Sequence, residues 1–166
     1  MVILGIDPGI KGGLAIVSTN SGLPEMLAWM RTPSLKQGKH NIVDAAKVYR
    51  WLEVWIIDQV VIEKVTSYGM GLATAFAFGK STGSVEAIAQ LKTPRIEWVT
   101  PNVWKKHFQL SKNKRASLDL AQTKFGKVDL NKKMVLHTCL WDLAANDGIA
   151  EAALLCQWFL DKKINM

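Results

Sequence analysis

Four acidic residues are spaced so that they could hold a divalent cation. Asp7 closes the short apolar run Val2 to Ile6, and Pro8-Gly9 turns the chain at once. Glu63 closes a second β-branched run, Gln59 to Glu63. Asp147 and Glu151 stand four apart in NDGIAEAALL. On a helix that spacing puts both carboxylates on one face, one turn apart. An acid where a buried strand gives out combines a rigid backbone with a carboxylate that reaches solvent, which a metal or a phosphoryl group needs. Like charges one helical turn apart repel mildly, and a cation removes that repulsion. A set of Asp and Glu oxygens suits Mg²⁺ or Mn²⁺ and does not suit zinc. Taken singly, each acid has a plainer explanation: a turn residue at Asp7, a helix cap at Asp147. Two strand-end acids and a helical pair in one small basic chain point together to a metal-dependent nuclease.

Five short apolar runs must position these acids. Val2 to Ile6 and Leu14 to Val17 read as strands around a turn that carries Gly12-Gly13. Met26 to Met30, Gln59 to Glu63 and Ile96 to Val99 read as three more. Thr32 to Asn41 is polar, with Pro and Gly, and reads as an exposed loop. Asn41 is placed to cap a helix from Ile42, with Val43, Ala46, Val48, Leu52 and Trp55 at helical spacing and Asp58 closing the segment. Leu72 to Leu91, rich in Ala and Gly, reads as one long helix or two. Thr100 and Pro101 suit the cap and first position of a helix that carries Trp104, Lys105 and Lys106. A basic loop, Ser111 to Arg115, precedes a helix from Ala116 to about Phe125. Gly126 to Lys133 is turn-like, the chain is helical in character from Leu136, and Asp147 to Leu160 is the clearest amphipathic helix. The order predicts an α/β fold, a mixed five-stranded sheet flanked by helices, in one domain over residues 1–166.

Lys and Arg number 21 against 14 Asp and Glu, a net charge of +7, which points to a polyanionic partner, nucleic acid first. Lys105, Lys106, Lys112, Lys114 and Arg115 fall within eleven residues, flanked by Trp104 and Phe108. They follow the last strand, so they start at a sheet end and would balance the acids against DNA phosphates. Other chemistries lack support. His40, His107 and His137 have no mutual spacing of a metal site or triad, and no GxSxG, P-loop or GxGxxG motif is present. Cys139 and Cys156 form no CxxC pair and read as reduced core residues. No apolar run reaches membrane-spanning length, and no N-terminal signal is evident, so the expectation is a cytoplasmic protein without a membrane partner.

The motifs GIDPGIKGGLAIV, VVIEKV, FGKSTGSVEAIA, VTPNVWKKHF with SKNKRAS, and NDGIAEAALL, in that order, resemble the RuvC family of Holliday junction resolvases. The short phage and chloroplast-type members look most similar. The resemblance spans Val2 to about Phe159. It implies an RNase H-like fold, a homodimer, and hydrolysis of phosphodiesters in four-way or branched DNA by two Mg²⁺ ions, with Mn²⁺ as a substitute. It also implies a setting in a bacterial or phage-infected cell, with an organelle as the alternative. Asp7, Glu63, Asp147 and Glu151 match the four catalytic, metal-binding acids. Asp147 departs in spacing: many bacterial members place this acid three residues before the last one, and here it is four. Lys105, and Lys114 or Arg115, match basic residues near the scissile phosphate. Tyr68, in the loop after Glu63, is the candidate for the aromatic that pries the junction open. A YqgF-type or ribonuclease H-type enzyme, a branched-DNA-binding protein without catalysis, and an actin-like ATPase are the alternatives, the last needing two such domains.

Overall fold

A computed structural model describes residues 1–111, 113–126 and 144–164. Its main sheet has five strands: β1 (Val2–Asp7), β2 (Gly13–Ser18), β3 (Glu25–Arg31), β6 (Gln59–Glu63) and β7 (Ile96–Val99). Their order is β3-β2-β1-β6-β7. The first three pair antiparallel as a meander, and β6 and β7 continue parallel to β1. The mixed five-stranded α/β sheet expected from the sequence is therefore present, with each of the five strands at its expected position.

Strands β1, β2 and β6 are apolar between their ends because both faces of the sheet are covered. On one face, Ile3, Ala15, Val17 and Val61 pack against α5 (Asp147–Ile164) and against Trp104 and Leu118 of α3 (Pro101–His107) and α4 (Lys114–Phe125). On the other face, Leu4, Ile6, Leu14, Ile16 and Ile62 meet Val48 and Leu52 of α1 (Ala45–Leu52) and Val85, Ile88 and Ala89 of α2 (Leu72–Lys92). Side chains alternate along a strand. Asp7 and Glu63 thus leave the sheet on the same side as Ile3 and Val61, the side covered by α5. The parallel register matches Ile6 with Ile62, so the two acids end neighbouring strands at the same level.

Several local expectations are corrected. Residues 34–43 form a second, two-stranded sheet, β4 (Ser34–Gln37) paired with β5 (His40–Val43), where a loop to Asn41 and a helix from Ile42 were expected. β4 and the first half of β5 are exposed and mostly polar, and only Val43 is buried, so no apolar alternation marked them. Helix α1 starts at Ala45 and not at Ile42; its cap is Asp44, whose carboxylate accepts from the Lys47 amide at 3.1 Å, and not Asn41. It ends at Leu52, so Trp55 lies beyond it. Asp58 instead accepts from the Val2 amide at 2.7 Å and fastens the edge of β1. Helix α2 is a single helix. Thr100 stands at the cap of α3 with Pro101 at its first position, but its hydroxyl makes no capping bond. Helix α4 begins two residues early, capped by Asn113. Lys112 and the stretch 127–143, with its expected turn, helical character, His137 and Cys139, lie outside the described residues. Among the described residues no helix is long and apolar enough to cross a membrane.

Glycines let α5 lie directly on the sheet. A Cβ at Gly5 would stand 1.9 Å from the Ala152 carbonyl oxygen and 2.8 Å from the Cys156 sulfur. Gly12 pairs with Gly148 in a parallel bridge, and a Cβ on Gly148 would meet the Gly12 backbone at 2.5 Å. Gly5→Ala should lower the unfolding free energy by roughly 3 kcal/mol, because backbone and not a flexible side chain must move. Urea unfolding followed by circular dichroism measures this, and a variant as stable as wild type would mean that α5 does not seat so closely.

Candidate metal centre

The close seating of α5 brings the acids together. Asp7, Glu63 and Glu151 each offer a carboxylate oxygen, and these three atoms lie within 4.8 Å of one another. Asp147, on the first turn of α5, lines the same cleft, about 980 Å³ in volume, as Asp7 and Glu151. It stands outside the convergent trio, and its negative charge still contributes to the field at Asp7. The start of α5 is pinned from the neighbouring strand: Arg31 Nε donates to Asn146 Oδ1 at 2.7 Å.

The trio is not left as bare charge. Trp104, fully buried, donates from Nε1 to Glu63 Oε1 at 2.9 Å. Lys105 Nζ donates to Glu151 Oε1 at 2.8 Å and lies 5.0 Å from the centre of the Trp104 ring. Ser117 Oγ donates to the same Glu151 oxygen at 3.2 Å. Burial pushes the Asp7 carboxyl well above its usual range; repulsion from Glu63, Glu151 and Asp147 adds to this, and Lys105 opposes it. Burial likewise raises Glu63, whose Trp104 hydrogen bond pulls the other way. A cluster of hard oxygen donors whose own repulsion disfavours ionisation fits a divalent cation, because the cation supplies the missing positive charge.

The basic residues divide. Lys105 and Lys106 line the cleft, together with Lys11, which the motifs alone did not single out. Lys11 sits in the turn between β1 and β2, and its place in GIDPGIKGG next to Asp7 was the available signal. Arg115, on the first turn of α4, is exposed and pairs with Asp119 at 2.9 Å, away from the cleft wall. The backbone of Lys114 opens α4, and its side chain, like Lys112, is outside the described set. Tyr68 is 98% exposed in the loop that links β6 to α2. Trp104 and Ser117 were not expected as site residues. Trp104 stands on α3 four residues before its C-cap, Phe108, a spacing that marks an inward-facing indole, but no spacing rule connects it to Glu63.

Solved structures share this fold. RuvC of T. thermophilus in complex with a Holliday junction substrate aligns with a TM-score of 0.65 at 17% identity, covering 98% of this chain and 96% of that one. The fold is that of RuvC. A second T. thermophilus RuvC structure aligns at 0.60 and 20% identity over 98% of this chain and 97% of that one. The fowlpox virus resolvase, also with Holliday junction DNA, aligns at 0.54 and 17% identity over 96% and 99%. No protein-family model matches the chain, and no curated protein does. The fold implied by the motifs is thus visible in three dimensions at low overall identity.

The raised carboxyls imply a pH signature in metal-free protein. Unfolded, Asp and Glu titrate near about 4. Between that value and the raised folded values, the folded chain holds protons that the unfolded chain has released. The stabilising contribution of these groups is therefore present at low pH and lost as pH rises through the folded values. Asp7→Asn should melt higher than wild type at pH 8 in chelator, and the difference should vanish near pH 4. Thermal melts across that range check it, and a variant that melts lower than wild type at pH 8 would contradict it.

Proposed function

We propose that this protein is a metal-dependent endonuclease that resolves Holliday junctions or related branched DNA by paired nicks. The observation that carries the reading is the convergence of Asp7, Glu63 and Glu151 within 4.8 Å at a cleft lined by lysines, in a chain with the RuvC fold. The carboxylates of Asp7, Glu63 and Glu151, with Asp147 beside them, would hold Mg²⁺, two ions in the complete site, with Mn²⁺ as a substitute. When bound, these cations supply Lewis acidity toward the scissile phosphoryl group and the attacking water.

The remaining work belongs to the chain. Asp7 and Glu63 stand on strand ends, so the acid floor does not shift as DNA docks. Lys105 sits between the floor and the cleft, paired with Glu151. Once a cation offsets the charge on Glu151, its ammonium group is placed to meet a phosphate oxygen near the cut. Lys11 and Lys106, on the cleft wall, bind flanking phosphates as point charges. Basic walls over an acidic floor attract the DNA backbone and, at the bottom, the cation that the chemistry needs. Tyr68, exposed on its loop, is the candidate for stacking on an opened base at the branch. Paired nicks need two such sites, and a homodimer supplies them. The exposed Leu72 and Phe76 of α2 offer apolar surface to a mate.

Cleavage of labelled four-way, three-way and linear DNA, and of an RNA–DNA hybrid, tests the reading. Four-way DNA should be cut in Mg²⁺ and left intact in chelator, with linear duplex and hybrid spared. Asp7→Asn should abolish cutting and keep junction binding. Preference for the hybrid, or cutting by Asp7→Asn at the wild-type rate, would overturn it. A lysine that neutralises one DNA phosphate should account for about 0.9 of the slope of log K against log salt. Lys105→Ala with Lys106→Ala should therefore lower that slope by about two units in a binding assay at graded salt. An unchanged slope would mean that these lysines do not touch the DNA.

A further inference from the structure

Trp104 touches one member of the acid cluster and the lysine that holds another. Its indole N–H donates to Glu63 Oε1 at 2.9 Å, and its ring face lies 5.0 Å from the Lys105 ammonium that holds Glu151. The ring itself is wholly buried, and Glu63 is only 7% exposed. Neither group can exchange the other for bulk water without opening the core. The terminal torsion of a glutamate is broad and two-fold, so an unheld carboxylate samples many orientations. A donor fixed to one oxygen removes that freedom and determines where the second oxygen goes. Outer groups that orient a metal ligand in this way commonly change metal affinity by about 10–100-fold when removed.

We infer that Trp104 is a positioning residue for the cation site: its N–H holds Glu63 Oε1 so that Oε2 faces Asp7 and Glu151, and its ring keeps Lys105 against Glu151. This rests on the reading of the acids as a cation site. A neutral buried donor suits the task. It orients Glu63 without adding a positive charge that would compete with the incoming cation. It also leaves the indole packed against the core, so the carboxylate is tied to the rigid part of the molecule through α3.

Mn²⁺ binding to metal-free protein, read from the electron paramagnetic resonance signal of free Mn²⁺, tests this without any DNA. Trp104→Phe keeps a ring in place and deletes the N–H. It should weaken Mn²⁺ binding by about ten-fold or more, with junction binding in chelator unchanged. In a Glu63→Ala background the same substitution should change the affinity by less than about two-fold, since the group it orients is gone. If Trp104→Phe does not fold, β-(3-benzothienyl)alanine in place of Trp104 preserves the shape without the N–H and carries the same expectations. Unaltered Mn²⁺ affinity, or an equal loss with and without Glu63, would overturn the inference. Wild-type protein that binds no Mn²⁺, or whose binding survives Asp7→Asn, would overturn the cation reading and this inference with it. Binding that depends on Asp7 and ignores position 104 would overturn the inference alone.

Discussion

Three carboxylates held within 4.8 Å of one another are the constraint around which the molecule is arranged. Without a cation they repel, and burial makes their ionisation costlier still, as the raised Asp7 and Glu63 carboxyls record. A flexible scaffold would relax by spreading them. This one cannot, because two of the three end adjacent parallel strands at one level and the third comes from a helix seated on the same sheet face. The sheet is covered on both sides, and α5 is buried from Gly148 to Leu160 apart from half-buried Glu151. The stability of the core thus resists the repulsion at its edge, as the proposed cation site requires.

Small residues make the approach possible. Side chains at Gly5, Gly13 or Gly148 would each drive α5 away from the sheet and the turn after β1, and the acid on α5 would move with it. Around the acids, neutral and basic groups are graded. Trp104 and Ser117 donate hydrogen bonds from inside, Lys105 neutralises part of the charge at the boundary, and Lys11 and Lys106 face the open cleft. The gradient explains how a chain of net charge +7 can carry an acidic centre and still attract a polyanion.

Much of this was legible in the sequence, for definite reasons. Asp7 and Glu63 could be placed at strand ends because the runs before them are β-branched and stop abruptly. The three central strands followed from runs buried on both faces, which stand out as continuous apolar stretches, while the outer strands β3 and β7 showed as short apolar runs. The β4–β5 hairpin was invisible because its polar, exposed strands bury little apolar surface and so leave no pattern. The start of α1 was misjudged because Ile42 and Val43 belong to β5, although their spacing to Val48 and Leu52 suits a helix. The four-residue step from Asp147 to Glu151 put both acids in one cleft, yet only Glu151 joins the trio. The link from Trp104 to Glu63 depends on how α3 docks against the end of β6, a tertiary fact with no local signature.

The most direct test of the central claim is where a cation binds. Crystals grown or soaked with Mn²⁺, measured for its anomalous signal, should show density in direct coordination contact with carboxylate oxygens of Asp7, Glu63 and Glu151. Anomalous density only elsewhere, with Glu151 still held by Lys105 and Ser117 and Glu63 by Trp104, would contradict the account.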